Sequence, residues 1–168
     1  WEGKNGEEER YTFAEMAALT DKFANALADI GVRKGDRVFF YMERLPELYV
    51  AFFGTLKLGA IAGPLFADFG PDPVRDRLED SGARVFVTTP ALKSRVESVL
   101  ESLPELKHII IIDRTGEYRV QSGEFDYYAV MDAAAAEYSG EPVGGDDYSL
   151  MHYTSGTTGK PKGAVHRH

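Results

Sequence analysis

The amino-acid sequence predicts an α/β fold in which helices flank a largely parallel β-sheet. Helical patterns and short apolar runs alternate along the chain, beginning with a helix and ending with a strand. Parallel strands need crossover connections, which are usually helices, so this alternation favours a parallel sheet. The 168 residues are 43% hydrophobic and 27% charged, which is ordinary for a globular domain with a buried core.

The first half of the chain is predicted to contain two pairs of a helix followed by a strand. Thr12 and Glu15 have the spacing of a capping box, which starts a helix, and Gly31 ends that helix. Pro46 suits the first turn of the second helix, and Gly59 ends it. In this half we expect helices over residues 12–30 and 46–58, and strands over 38–41 and 60–65.

The second half continues the alternation as far as residue 153. Asp72 and Pro73 predict the start of a short helix, which Gly82 ends. The apolar, β-branched run 109–112 is too short for most helices and predicts a buried strand. The other expected elements are a strand over 85–87, a helix over 89–101, a polar loop or hairpin over 114–124, a helix over 127–137, a linker over 140–147 and a strand over 148–153.

The overall charge argues against nucleic-acid and membrane partners. Acidic side chains outnumber basic ones 27 to 19, giving a net charge of −8, whereas nucleic acids and anionic membranes attract positive surfaces. The longest apolar region, 48–66, is interrupted by Lys57 and Pro64 and predicts a helix, turn and strand rather than a membrane span. The absence of cysteine excludes disulfides and thiolate metal sites, and it is compatible with a cytoplasmic protein.

Residues 153–163 carry the strongest functional signal, because their composition suits phosphate binding. Phosphate oxygens need several converging donors. Glycine lets backbone N–H groups turn inward, and hydroxyl and ammonium groups add to them. Lys162 supplies the positive charge beside the stiff Pro161. The hydroxyl groups belong to Thr154, Ser155, Thr157 and Thr158, and the glycines are Gly156, Gly159 and Gly163.

Three familiar site types do not fit this loop. A Walker P-loop needs glycine, four residues and then Gly-Lys-Ser/Thr, but only two residues separate Gly156 from Gly159. Lys160 is moreover followed by Pro161. The loop has no Gly-x-Gly-x-x-Gly dinucleotide fingerprint, and Ser155 lacks the Gly-x-Ser-x-Gly elbow of a hydrolase nucleophile.

The loop Tyr-Thr-Ser-Gly-Thr-Thr-Gly-Lys-Pro-Lys-Gly, residues 153–163, resembles the signature of the adenylate-forming (AMP-binding) superfamily at every position. That superfamily includes acyl-CoA synthetases, luciferases and the adenylation domains of peptide synthetases. Residues 11–13, 35–38 and 56–65 are similar to its opening elements. The stretches that look most like acetyl-CoA synthetases and related short- or medium-chain acyl-CoA synthetases are 63–66, 77–81 and 88–90.

The resemblance implies a two-step ligase that uses ATP, Mg²⁺ and CoA. A carboxylate substrate attacks the α-phosphorus of ATP to give an acyl-adenylate and pyrophosphate, and the CoA thiol then displaces AMP. Donors aimed at the β- and γ-phosphates stabilise the charge that develops on the leaving pyrophosphate. By position in the family motif, these donors are Thr154, Ser155, Gly156, Thr157, Thr158, Gly159 and Lys162.

The resemblance also implies that residues 1–168 are the N-terminal portion of an adenylation domain, truncated after the phosphate-binding loop. In relatives, the adenine loop, the ribose-binding aspartate, the Mg²⁺-associated glutamate and the mobile C-terminal domain with its lysine all follow that loop. The chain starts at Trp1 rather than at methionine and ends soon after the loop. We therefore expect a piece of a longer protein, with its catalytic residues beyond position 168 and no activity in this chain alone.

Two alternative functions stay open on the sequence: the adenylation domain of a peptide synthetase, and a module that binds nucleotide phosphates without catalysis.

His166 and His168 are two residues apart, but a metal site needs more ligands, so no metal site is predicted. Lys57 and Arg44 are expected in solvent. Aromatic residues of apolar elements are core by default, with an acyl tunnel as the alternative role for Phe52, Phe53, Phe66 and Phe69.

Overall fold

The computed structural model describes residues 1–154, 159 and 161–168, and these form five helices and seven strands. The helices are α1 (Phe13–Asp29), α2 (Pro46–Leu58), α3 (Pro71–Ser81), α4 (Pro90–Leu100) and α5 (Tyr127–Ala133). The strands are β1 (Arg37–Tyr41), β2 (Ile61–Leu65), β3 (Val85–Thr88), β4 (His108–Ile111), β5 (Glu124–Asp126), β6 (Tyr148–Thr154) and β7 (Lys162–Arg167).

The strands build a single sheet in the order β5-β4-β3-β1-β2-β6-β7. Every neighbouring pair is parallel except β6 and β7, which form an antiparallel hairpin at one edge. The predicted fold class, a largely parallel sheet with flanking helices, is therefore confirmed.

The alternation of side chains along β1 creates a hydrophobic core on each side of the sheet. Val38 and Phe40 point into a first core that α1, α2 and α5 cover. Phe39 and Tyr41 point into a second core that α3 and α4 cover. All four side chains are almost completely buried, because successive residues of a strand face opposite sides and both sides carry helices.

Local signals place several helix ends where the sequence predicts them. The Thr12 hydroxyl accepts a hydrogen bond from the Glu15 backbone N–H at 3.2 Å, and the Glu15 carboxylate accepts one from the Thr12 N–H at 2.7 Å. Gly59 and Gly82 end α2 and α3 with φ of 76° and 59°, which glycine adopts without a steric penalty. Within the described chain, no helix combines the length and apolar character that crossing a membrane requires.

The predicted cap of α3 is wrong by two residues. Gly70 is the capping residue and Pro71 occupies the first turn, where its fixed φ and missing N–H are tolerated. Asp72 lies inside that turn and pairs with Arg75 at 3.0 Å.

Helix α5 ends earlier than its alanine-rich sequence predicts. The expected helix runs to residue 137, but the chain becomes extended at Ala134 (ψ 144°). The Asn25 side chain on α1 donates hydrogen bonds to the carbonyls of Ala135 and Glu137 at 2.8 and 2.9 Å. These contacts hold the non-helical segment 134–137 against α1, so tertiary packing overrides the helical propensity of alanine.

The polar segment 114–124 is a loop as predicted up to residue 123, and a parallel strand that the sequence did not predict, β5, begins at its last residue. β5 pairs with β4 and begins at Glu124, whose carboxylate is only 4% exposed. That carboxylate accepts hydrogen bonds from Lys93 Nζ at 2.9 Å and the Tyr118 hydroxyl at 3.0 Å. A buried ion pair with α4 therefore holds β5 in place, a contact between distant residues that has no local sequence pattern.

Two expectations about individual side chains are wrong. Phe53 and Phe66 are 49% and 74% exposed, because Phe53 lies on the outer side of α2 and Phe66 follows the last residue of β2. Phe52 and Phe69 pack against the cores as expected. Lys57, which was expected in solvent, forms an ion pair, since its ammonium lies 2.6 Å from the Asp21 carboxylate.

Replacing Gly63 with alanine is expected to destabilise the fold by about 1–3 kcal/mol, because overpacking a core forces neighbours to shift. A Cβ at Gly63 would lie 2.5 Å from the ring of Phe39, its partner on β1. Urea denaturation would measure the change in unfolding free energy. Gly145→Ala is the matched control, since a Cβ there meets nothing within 4 Å. Equal stability of the two variants would contradict the packing argument.

Candidate functional site

The predicted phosphate-binding loop connects the two strands of the antiparallel hairpin. Thr154 ends β6 and Lys162 begins β7, and the two residues are direct partners in the ladder. Side chains at opposed antiparallel positions lie on the same face, with Cβ atoms about 4.5–5.5 Å apart. Both residues are exposed. A hydroxyl group and an ammonium group therefore stand side by side at the open end of the hairpin, which we call the hairpin mouth.

Four of the predicted donors, Ser155, Gly156, Thr157 and Thr158, lie outside the described residues. Gly159 is described, is exposed, and has a φ of 115°, which side chains other than glycine rarely adopt. Of the predicted site, the structure thus brings together Thr154 and Lys162.

On the other face of the hairpin, Tyr153 attaches β6 to the body of the protein. Its ring packs against Phe39 with centroids 6.4 Å apart. It also covers Gly163, where an added Cβ would lie 3.2 Å from the ring. The Tyr153 hydroxyl donates to the Asp80 carboxylate at 2.6 Å. Burial, followed by this hydrogen bond, raises the pKa of Tyr153, so the hydroxyl remains a donor at neutral pH.

Arg77 of α3 fills the space behind Tyr153. The residue is 9% exposed, and its guanidinium donates to the Pro73 carbonyl at 2.7 Å. The guanidinium carbon lies 4.4 Å from the centroid of the Phe69 ring and 5.6 Å from that of Tyr153. A cavity of about 260 Å³ adjoins this group, and its lining includes Tyr153 and Pro161, one from each side of the loop.

The sequence interpretation missed Arg77 and Asp80 as parts of this region. One signal was available for Arg77. It lies three residues after Val74 and one before Leu78, on the apolar stripe of a helix, where an arginine needs partners if it is buried. No pattern in the sequence pairs Asp80 with Tyr153.

A second concave region lies at the carboxyl ends of the parallel strands. The chain leaves β1 toward one face of the sheet and β3 toward the other, so a crevice opens between these neighbours, as is usual in open α/β sheets. The Thr89 hydroxyl donates to the Glu43 carboxylate there at 3.1 Å. The crevice measures about 930 Å³, and its charged lining residues are Glu2, Glu7, Glu43, Asp68, Asp113, Lys4, Arg44 and Arg114.

The charges make this crevice a poor site for a triphosphate. Five carboxylates face three cationic side chains, an excess of two negative charges when all are ionised. Like charges repel more strongly in a concave site than in water. The hairpin mouth, with its exposed hydroxyl and ammonium groups, suits phosphate better.

Comparison with known proteins assigns the chain to a family. The model of the family described as AMP-binding enzyme matches residues 3–168, nearly the whole chain. The chain belongs to the AMP-binding enzyme family.

Relatives in this family include bacterial acetyl-coenzyme A synthetases. The chain is 43% identical to that of Bacillus subtilis over 162 residues, covering 96% of this chain and 28% of the relative. It is 35% identical to that of Rubrobacter xylanophilus over 178 residues, covering 99% of this chain and 28% of the relative. The chain therefore spans 28% of the length of each of these two relatives.

Solved structures of AMP-binding relatives share the fold. An acyl-CoA synthetase from Brucella canis superimposes with a TM-score of 0.86 at 32% identity, covering 97% of this chain and 29% of that one. The anthranilate CoA ligase AuaEII, solved in complex with anthranoyl-AMP, gives a TM-score of 0.81 at 30% identity, covering 95% of this chain and 30% of that one. The fold described above is thus that of a segment of known CoA ligases.

Of the histidines near the predicted phosphate-binding loop, His152 and His166 lie on the hairpin. The rings of His152 and His166 are 6.4 Å apart across β6 and β7. His168 contributes to a groove beside α1 and α2. In the part of the chain that the structure describes, no three histidine, aspartate or glutamate side chains converge to hold a metal ion.

The Asp113 carboxylate organises the turn after β4 at the rim of the crevice. One oxygen accepts from the N–H and hydroxyl of Thr115 at 3.0 and 2.7 Å, and the other accepts from the Tyr118 N–H at 2.7 Å. The Tyr118 hydrogen bond, followed by those from Thr115, lowers the pKa of Asp113. Hydrogen bonds to the ionised form favour that form.

Asp113→Asn is expected to lower the melting temperature at pH 7, because an amide presents N–H donors to groups that are themselves donors. The folded pKa of Asp113 lies below its unfolded value, so its contribution is complete above about pH 4 and is lost as the pH falls through the folded pKa. Thermal unfolding from pH 7 to pH 2 should show the difference from wild type shrinking in acid. Asp132→Asn, at an exposed position, is the control. A difference that stays constant with pH would contradict this account.

Proposed function

We propose that residues 1–168 form the N-terminal portion of the adenylation domain of an ATP-dependent acyl-CoA synthetase, an acid–thiol ligase. The observation that carries the proposal is the hairpin mouth, where Thr154 and Lys162 face each other across the family's signature loop. The named relatives are acetyl-coenzyme A synthetases, which favours a CoA ligase over a peptide-synthetase adenylation domain. The chain spans only part of these relatives, so the activity belongs to the longer protein.

In the proposed reaction, a carboxylate oxygen of the substrate bonds to the α-phosphorus of ATP while the bond to pyrophosphate breaks. The CoA thiol then attacks the acyl carbon and AMP leaves, which gives the thioester. The Thr154 hydroxyl donates to a phosphate oxygen, and the Lys162 ammonium offsets the charge that grows on the leaving pyrophosphate. We assign the same role to Ser155, Gly156, Thr157, Thr158 and Gly159 on the family motif alone.

The donors at the hairpin mouth fit a polyphosphate better than they fit a metal ion. Lys162 and the Thr154 hydroxyl are exposed and can donate hydrogen bonds, whereas no carboxylate cluster is found among the described residues. Mg²⁺ usually keeps several waters and binds through substrate phosphates with one or two carboxylates. We therefore place Mg²⁺ on the phosphates of ATP, with protein ligands from the longer protein.

The acyl substrate is proposed to be acetate or another short- or medium-chain carboxylate. This choice is supported by the acetyl-coenzyme A synthetases among the relatives. The structurally similar anthranilate CoA ligase acts on an aromatic acid, so this fold accommodates different acyl groups. A cytoplasmic location and a role in fatty acid metabolism follow from the same proposal.

A chimera tests the proposed reaction: this chain replaces the matching 28% of the Bacillus subtilis acetyl-coenzyme A synthetase. We expect acetate-dependent exchange of radiolabelled pyrophosphate into ATP by the chimera and none by the 168-residue chain alone. Thr154→Val in the chimera should reduce exchange about 10²–10³-fold, the loss seen when one oxyanion donor is removed. A folded chimera without exchange, or exchange by the chain alone, would count against the proposal.

Lys162→Ala is expected to weaken binding of ATP with Mg²⁺ to the chain about tenfold, because a charge-assisted contact to phosphate is lost. Isothermal titration calorimetry measures the dissociation constant directly. Lys22→Ala removes a lysine from the surface of α1 and serves as the matched control. Identical affinities of the two variants would mean that Lys162 does not contact the phosphates.

A further inference from the structure

We propose that Asp80 is a positioning residue that acts through Tyr153 to fix the hairpin mouth. This inference rests on the proposed function, since it assigns Asp80 a part in presenting Thr154 and Lys162 to the triphosphate. Neither Asp80 nor Tyr153 needs to touch the substrate. Their role is to hold in place the ends of β6 and β7, which carry Thr154 and Lys162.

The end of β6 gains from such support, because its hydrogen-bonded ladder with β2 is short. Within the described chain, the ladder between β6 and β2 consists of one residue pair, Ala62 with Leu150. The four residues that follow, 151–154, extend past that pair and have ladder partners on β7. Strand β7 lies at the edge of the described sheet with all six of its residues exposed, and its strand neighbour there is β6.

Tyr153 supplies the missing attachment to the body of the protein. It immediately precedes Thr154, and its side chain points to the opposite face, so fixing the Tyr153 ring fixes the backbone that carries the Thr154 hydroxyl. The ring packs against Phe39 of the second core. Its hydroxyl reaches the Asp80 carboxylate at 2.6 Å, across 73 positions of sequence.

The same ring also holds the second strand of the hairpin. Gly163 is the ladder partner of Tyr153 and follows Lys162 directly. An added Cβ at Gly163 would lie 3.2 Å from the ring, so the ring lies across the glycine backbone. One side chain therefore contacts both strands next to the two residues that carry the donors.

Arg77 completes the support from α3. Asp80 and Arg77 are three residues apart, so they lie on neighbouring parts of one helix face. The guanidinium packs on Phe69 at 4.4 Å and faces the Tyr153 ring at 5.6 Å, which limits the space into which the ring can tilt. Binding groups must hold their geometry to within about 0.5 Å to be effective. We call Asp80, Arg77 and Tyr153 together the α3 brace.

The test uses the 168-residue chain with inorganic triphosphate as the probe. Tyr153→Phe keeps the ring but removes the hydroxyl, and Asp80→Ala removes the acceptor. Each should weaken triphosphate binding about tenfold by calorimetry. The Tyr153 hydroxyl also lies 3.3 Å from the Arg77 carbonyl, a contact that Tyr153→Phe removes and Asp80→Ala keeps. Adding Asp80→Ala to Tyr153→Phe should cause no further loss, because the hydroxyl that contacts Asp80 is already absent. Asp80→Asn keeps an oxygen that accepts from the Tyr153 hydroxyl and should restore most of the affinity. Tyr148→Phe, an exposed tyrosine on the same strand, is the matched control.

Hydrogen exchange of the backbone amides of Gly159 and Gly163 in the free protein gives a second readout. Exchange should become faster in Tyr153→Phe and Asp80→Ala but not in Tyr148→Phe. Unchanged affinity and exchange in the first two variants would overturn the α3 brace while leaving the proposed function standing. If the wild-type chain binds no triphosphate, the binding role proposed for the hairpin mouth in this chain fails, and the exchange rates still decide whether the α3 brace holds the hairpin mouth.

Discussion

Strand β1 must bury side chains on both of its faces, and the rest of the architecture depends on that constraint. Val38 and Phe40 need cover on one side, and Phe39 and Tyr41 need it on the other. The chain meets both needs by placing α1, α2 and α5 on one face and α3 and α4 on the other, and β1 has a parallel neighbour on each edge. The crevice at the carboxyl ends of the strands arises where those connections diverge.

The antiparallel hairpin departs from this parallel plan and separates two regions of different charge. The crevice near β1 and β3 has an excess of carboxylates, while the hairpin mouth presents Thr154 and Lys162. Under the proposed function, the excess of carboxylates disfavours a polyanion in the crevice, and the donors at the hairpin mouth attract it. Helix α3 connects the sheet with the loop region, because it packs on the second core and also lines the cavity beside the loop.

Features set by neighbouring residues were predictable from the sequence, whereas contacts between distant residues were not. The capping box of Thr12 and the terminal glycine Gly59 act within one turn, and the structure has both as expected. The loop was recognisable from its hydroxyls and glycines, and Thr154 and Lys162 lie at its ends. The early end of α5, strand β5 and the contact of Asp80 with Tyr153 depend on partners far along the chain. These three features are stabilised by tertiary contacts, and tertiary contacts produce no periodic pattern in the sequence.

The position of β7 at the edge of the sheet has a practical consequence for handling the isolated chain. Its outer row of backbone N–H and C=O groups has no strand partner in the described structure, and such an edge can pair with a second molecule. Lys162 places positive charge on the strand, whereas Arg167 pairs with Asp146 at 2.7 Å. Repulsion between the lysines of two such strands discourages this pairing. Because salt screens that repulsion, concentrated solutions at high ionic strength favour strand-to-strand aggregation, and dilute solutions at low ionic strength favour the monomer.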